Sequence, residues 1–129
     1  SGRHAAFAVE GIDSTVEEAT PTIAVWDLAA GKAIREIEDI HSDTISQLKW
    51  HPVQKKMLYS CSEDGLLCSV NPAASAGDEL DWCCNMETPI RSFSFFGPVA
   101  QCACALTCNE GLQLCQLGED SIQVRVLVP

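Results

Sequence analysis

Basic residues are scarce: eight Lys and Arg stand against eighteen Asp and Glu in 129 residues, a formal charge of −10. Affinity for nucleic acid begins with Lys and Arg neutralising phosphates. With no basic run longer than Lys55-Lys56, no nucleic-acid partner is expected. Long apolar stretches are missing too. A membrane helix needs about 18 or more apolar residues, and a stretch such as Ala5 to Val9 is far too short, so no membrane association is expected. No charged start leads into an apolar segment with a small-residue cleavage site, so no secretory signal is read. The chain starts at Ser1 and stops at Pro129 without a polar tail, which suggests that both ends are cuts in a longer protein.

The usual catalytic motifs are equally absent. There is no glycine-rich phosphate loop, no GxSxG elbow, no basic groove and no carboxylate pair placed for acid and base work. No catalytic residue, cofactor or small-molecule substrate is therefore expected. The acids spread along the chain keep it soluble, and the same field would steer a basic protein partner toward it.

Eight cysteines stand at 61, 68, 83, 84, 102, 104, 108 and 115. Zinc fingers and ribbons need paired hooks of closely spaced thiolates that can turn round one ion. Only Cys104-xxx-Cys108 approaches such a hook. Cys102 and Cys104 alternate with alanines, which puts both on one face of a strand, expected to be the core face. Cys61, Cys68 and Cys115 lie in strand-like segments, where a free thiol packs as a small hydrophobe. Buried thiols are the preferred reading and no bound metal is expected. A disulfide framework would apply in a secreted protein.

Helical periodicity is poor, while short segments rich in β-branched and aromatic residues recur between turn signals. The spacing predicts an all-β chain with strands at 5–9, 22–28, 33–38, 44–51, 57–62, 66–70, 90–96, 100–107, 112–117 and 122–128. Asp78 to Asp81, with Trp82 after it, reads as a loop or an outer edge strand, and Trp82 as a solvated residue or a contact point. Ser62-Glu63-Asp64-Gly65 is a hairpin turn, and Cys108-Asn109-Glu110-Gly111 repeats the design 46 residues later. Trp50 to Phe96, Pro52 to Pro98 and Leu66 to Leu112 share that offset, and Trp26-Asp27 to Val70-Asn71 is a step of 44. Periods of about 40–45 residues with four strands each mark propeller blades.

Ile23-Ala24-Val25-Trp26-Asp27-Leu28 resembles the closing strand of a WD repeat, with its Trp-Asp pair. Ile40-His41 stands where that family has Gly-His, Ile45 to Pro52 is similar to its innermost strand, and Tyr59 to Gly65 resembles its Ser-rich strand ending in Asp-Gly. The resemblance implies a β-propeller of four-stranded antiparallel sheets, incomplete here: a partial propeller over 1–129, with 5–38 as the end of one blade, 39–86 as a second and 87–129 as a degenerate third. It also implies a structural blade latch in which His41, Ser60 and Asp64 form a buried hydrogen-bonded chain. Val70 occupies the place of the tryptophan that would complete it. The latch reading is preferred over a catalytic triad, which would need an exposed nucleophile beside an oxyanion hole. Trp26 is expected in the core, with a partner surface as the alternative.

The function so implied is a non-catalytic scaffold that presents a protein-binding surface inside the cell, in cytoplasm or nucleus. Two other readings stay open: a thiol or zinc protein using the cluster Cys102, Cys104 and Cys108, or a truncated product with no independent function.

Overall fold

The structure, a computed structural model, describes residues 4–10, 21–109, 111–118 and 124–127. Within them the chain forms strands and no helix: β1 His4–Glu10, β2 Pro21–Asp27, β3 Lys32–Ile37, β4 Ile45–Trp50, β5 Leu58–Ser62, β6 Leu66–Val70, β7 Leu80–Asn85, β8 Ile90–Phe96, β9 Cys102–Thr107, β10 Gly111–Gln116 and β11 Val124–Leu127. They make three antiparallel meanders, in the orders β1-β2-β3, β4-β5-β6-β7 and β8-β9-β10-β11. The predicted final strand at 122–128 contains β11, and its remaining residues lie outside the described ones, as does Glu110.

The acidic segment before Trp82 resolves into both of the forms the sequence allowed. Residues 71–79 connect β6 to β7, and Leu80 begins the strand on the outer side of the middle sheet. An acid such as the exposed Asp81 suits an edge strand, where charge discourages further pairing.

The middle sheet has two buried faces. All five residues of β5 are buried, as are four of the five in β6. Toward the first sheet it presents Leu58 and Val70, packed on Ile23, Val25 and Ile37. Toward the third it presents Tyr59, Cys61, Leu67 and Cys84, packed on Phe93, Ala103, Ala105 and Cys115. Successive strand side chains point to opposite faces, so a strand buried on both sides reads as a continuous apolar run.

The outer two sheets are different. Register pairs Phe7 with Ala24 and Ala5 with Trp26. Phe7 and Trp26 therefore share the face of the first sheet turned away from Val25. Phe7 is 51% exposed and Trp26 37%. The expected core position for Trp26 is corrected: among the described residues nothing covers that face. The third sheet repeats the situation. Ala103 and Ala105 enter the core, while Cys102 and Cys104 occupy the opposite, half-exposed face with Phe96. The expected alternation holds with the opposite phase, because alanine and cysteine are too similar in size and polarity for the sequence to say which faces inward.

Two outcomes follow. The 129-residue chain on its own will bind anilinonaphthalene dye and self-associate through the Phe7/Trp26 and Phe96 faces, whereas a dye-dark monomer with a single sharp melt would contradict this. Truncating Phe93 to Ala removes the largest fully buried side chain and should cost about 3–5 kcal/mol in urea unfolding of the protein that carries it.

Candidate functional site

The best-defined polar constellation is enclosed at one end of the middle sheet. His41 sits in the connection from β3 to β4, Ser60 in the middle of β5 and Asp64 in the β5–β6 turn. The His41 Nδ1 atom lies 3.0 and 3.3 Å from the two carboxylate oxygens of Asp64, and Nε2 lies 2.7 Å from Ser60 Oγ. Donation from Nδ1–H to the carboxylate leaves Nε2 to accept from the serine hydroxyl. Asp64 accepts two more hydrogen bonds, from the N–H groups of Ser42 at 3.0 Å and Leu66 at 2.8 Å. One carboxylate thus fixes the imidazole, the β3–β4 connection and the hairpin turn.

Local chemistry shapes that turn. Gly65 has φ of +89°, and a side chain there would also press on the Thr88 backbone N–H at 3.3 Å. Only glycine adopts this conformation at little steric cost. Ser62 Oγ donates to the Asp43 carbonyl and accepts from Asp64 N–H, so a second hydroxyl holds the same connection. Sequence reasoning missed Ser62, whose signal was its place just before Glu-Asp-Gly.

Of the Trp-Asp pair, Asp27 serves the β2–β3 turn: its Oδ1 accepts from Ala29 and Ala30 N–H at 2.9 and 3.2 Å. Asn71, 44 residues on, does the same for Ala73 at 3.0 Å. Trp26 is on the outer face of its own sheet and does not meet the His41 group.

Chemically the constellation is a clamp. Ser60 is fully buried and His41 is 3% exposed, so no substrate reaches the hydroxyl. Burial lowers the pKa of the His41 imidazole from its ordinary value, against the upward pull of Asp64. The neutral ring is the form that accepts from Ser60 through Nε2.

A second buried histidine escaped the sequence reading. His51 accepts at Nδ1 from the N–H groups of Val53 and Gln54 and donates from Nε2 to the Ala100 carbonyl at 2.7 Å, which ties the β4–β5 loop to the third sheet. Its ring packs on Tyr59 and Phe95. Gln47 Oε1 accepts from Phe93 N–H and Ser46 Oγ donates to the Ile90 carbonyl across the same interface. Arg35 joins the first sheet to the second through Glu79 at 3.3 Å and the Ala74 carbonyl.

The cysteines form no metal centre among the described residues, where no group of three or more Cys, His, Asp or Glu is placed to hold an ion. Cys61, Cys68, Cys84 and Cys115 are buried and Cys83 and Cys108 are exposed. Burial pushes the Cys61 thiol up to about 12. A cleft of about 410 Å³ between the first two sheets is lined by Val25, Ile34, Trp50, Lys55 and Lys56 among others, with no carboxylate among its described lining residues.

Charge is unevenly placed on the surface. The connections 38–44, 63–65, 86–89 and 108–109 meet at the clamp end, as shown by Met86 N–H bonding to the Gly65 carbonyl and Cys108 N–H to Pro89. They carry Glu38, Asp39, Asp43, Glu63, Asp64 and Glu87 and no Lys or Arg. Lys55 and Lys56 lie at the opposite end.

No family model matches the chain. It is 31% identical over 91 residues to the WD repeat-containing protein 89 homolog of Dictyostelium discoideum, covering 70% of this chain and 25% of that protein. It is 27% identical over 106 residues to WD repeat-containing protein GTS1 of Arabidopsis thaliana, covering 81% of this chain and 27% of that one. The chain thus spans about a quarter of the length of these relatives. Among solved structures, it superposes with a TM-score of 0.66 on the β-propeller domain of Myceliophteria thermophila Cps50 (Swd1), at 17% identity, over 84% of this chain and 31% of the other. The TM-score is 0.73 for Chaetomium thermophilum Sqt1 bound to the N-terminus of the ribosomal protein L10, at 16% identity, over 98% of this chain and 35% of Sqt1. The fold is that of an incomplete β-propeller.

Replacing Ser60 by Ala leaves His41 Nε2 buried without a donor, and urea unfolding should register a loss of about 1–3 kcal/mol. A lowered folded-state pKa means that the unfolded chain binds the proton more readily. The His41 contribution is therefore complete above about pH 6.5 and is lost as pH falls toward the folded value. His41→Gln should remove that part of the stability decline below about pH 6.5; an unchanged pH slope would count against the assignment.

Proposed function

Because the chain belongs to the WD-repeat family, we propose that it is part of the wall of a non-catalytic propeller scaffold whose loops bind other proteins. The burial of His41, Ser60 and Asp64 carries this reading. The residues that could make a Ser–His–Asp triad are committed to holding one blade together, and the accessible surface is made of loops and edges. Rigid sheets with variable loops suit recognition.

The partner surface is the acidic end, and the partner is a positively charged protein segment. Glu38, Asp39, Asp43 and Glu63 are exposed there without a neighbouring Lys or Arg in the same connections. A field of one sign on a loop cluster raises the encounter rate with the opposite charge. Sqt1, the similar propeller bound to the N-terminus of the ribosomal protein L10, supports a polypeptide segment as ligand. The same proposal places the protein inside the cell, where unpaired thiols persist, and assigns it neither nucleic acid, membrane nor small molecule as partner.

The test is affinity capture by the full-length protein, comparing Glu38→Gln/Asp39→Asn/Glu63→Gln with Lys55→Gln/Lys56→Gln. Asparagine tolerates the positive φ of 63° at position 39. The acidic-end variant should weaken the captured partner about tenfold and flatten its salt dependence, with the lysine variant unchanged. The opposite pattern would move the surface to the other end, and equal binding by both would exclude charge as its basis.

A further inference from the structure

Cys68 on β6 and Cys83 on β7 are directly opposed in register. The Cys68 thiol donates to Cys83 Sγ at 3.3 Å. Directly opposed residues of an antiparallel pair lie about 4.5–5.5 Å apart at Cα, inside the ~4.4–6.8 Å that a disulfide spans. The sulfurs need to close only to about 2.05 Å, a side-chain movement with no change of register. The two thiols differ in access. Cys83 is exposed on the outer edge strand, whereas Cys68 is fully buried between the first two sheets.

We propose that Cys68 and Cys83 form a reversible dithiol–disulfide site at the rim of the middle blade, closed by a hydroperoxide. Cys83 is the attacking sulfur and Cys68 the resolving one. The Cys83 thiolate takes the terminal oxygen of the hydroperoxide; the O–O bond breaks, an alcohol or water leaves with a proton, and Cys83 becomes a sulfenic acid. Cys68 then loses its proton and attacks Cys83 Sγ, the S–S bond forms, the S–O bond breaks and water leaves. Two thiols are oxidised by two electrons and one peroxide is reduced. A dithiol reductant reverses the step.

The hydrogen bond from Cys68 pushes the Cys83 thiol down, and the same bond together with burial pushes Cys68 up, which matches this division of labour. The other close pair, Cys84 with Cys115, lacks it: both are 3% exposed, and Cys115 is pushed up by its hydrogen bond with Cys84 and by burial. Closing Cys68–Cys83 staples the edge strand β7 to β6 across the 71–79 loop. It does so next to the clamp, because Cys68 is also paired in register with Ser60.

The test uses the native full-length protein, treated with hydrogen peroxide, then denatured, alkylated and cleaved after Lys, Arg and Glu. Cleavage after Glu63, Glu79 and Glu87 separates 64–79, which holds Cys68, from 80–87, which holds Cys83 and Cys84. The expected product is these two peptides joined, two hydrogens lighter than their sum, with fragment ions placing the link at Cys83 and dithiothreitol releasing it. Cys83→Ser, a change at an exposed position, should abolish it. A link at Cys84, a link that survives Cys83→Ser, or Cys83 oxidised to sulfinic acid with Cys68 still alkylated would each overturn the proposal, as would both thiols staying fully alkylated.

Discussion

A sheet that is apolar on both faces is soluble only if another sheet lies on each side of it, and the middle sheet of this chain is in that position. Its central strands β5 and β6 are buried almost throughout, and both flanking sheets present matching apolar rows to them. Among the described residues each flanking sheet then has one covered face and one that is not, because in a stacked array every added sheet supplies a face and creates another. The exposed Phe7, Trp26 and Phe96 are that second face.

Burial on this scale constrains every polar group inside. Ser60 is fully buried, as is the backbone beside it, and an unpaired donor or acceptor there would carry the full cost of desolvation. The His41–Asp64–Ser60 chain meets this demand by turning three polar side chains on one another and on backbone N–H groups. His51 solves the same problem at the opposite end with backbone partners alone. Polar groups between sheets therefore act as registration devices, fixing how one sheet sits on the next where apolar packing alone would tolerate sliding.

Chemistry and recognition are separated by this arrangement. His41, Ser60 and Asp64 are inside and paired, and the variable charge is outside on the connections. The chain spans about a quarter of its curated relatives, so the surface it contributes is a sector of a larger one. Its acidic end and its thiol-bearing rim are properties of that sector.

Strand positions and the repeat spacing were legible in the sequence, because strands, hairpin turns and a 46-residue offset are written in local residue choice, whereas the grouping of His41, Ser60 and Asp64 was only implied by the resemblance to a WD repeat. β7 was half legible, since acids at its start are compatible with a loop as well as an edge. Contacts between sheets were not legible. His51 bonds to a carbonyl 49 residues away, and Cys68 faces Cys83 only through strand register. Trp26 and the phase of Cys102 and Cys104 were decided by which face another sheet covers. The sequence by itself determined the strands and their turns, short-range matters of backbone geometry and side-chain type. The tertiary structure alone decided which faces are inside, which thiols meet and where the acids gather, because stacking is settled by neighbours that no local pattern encodes.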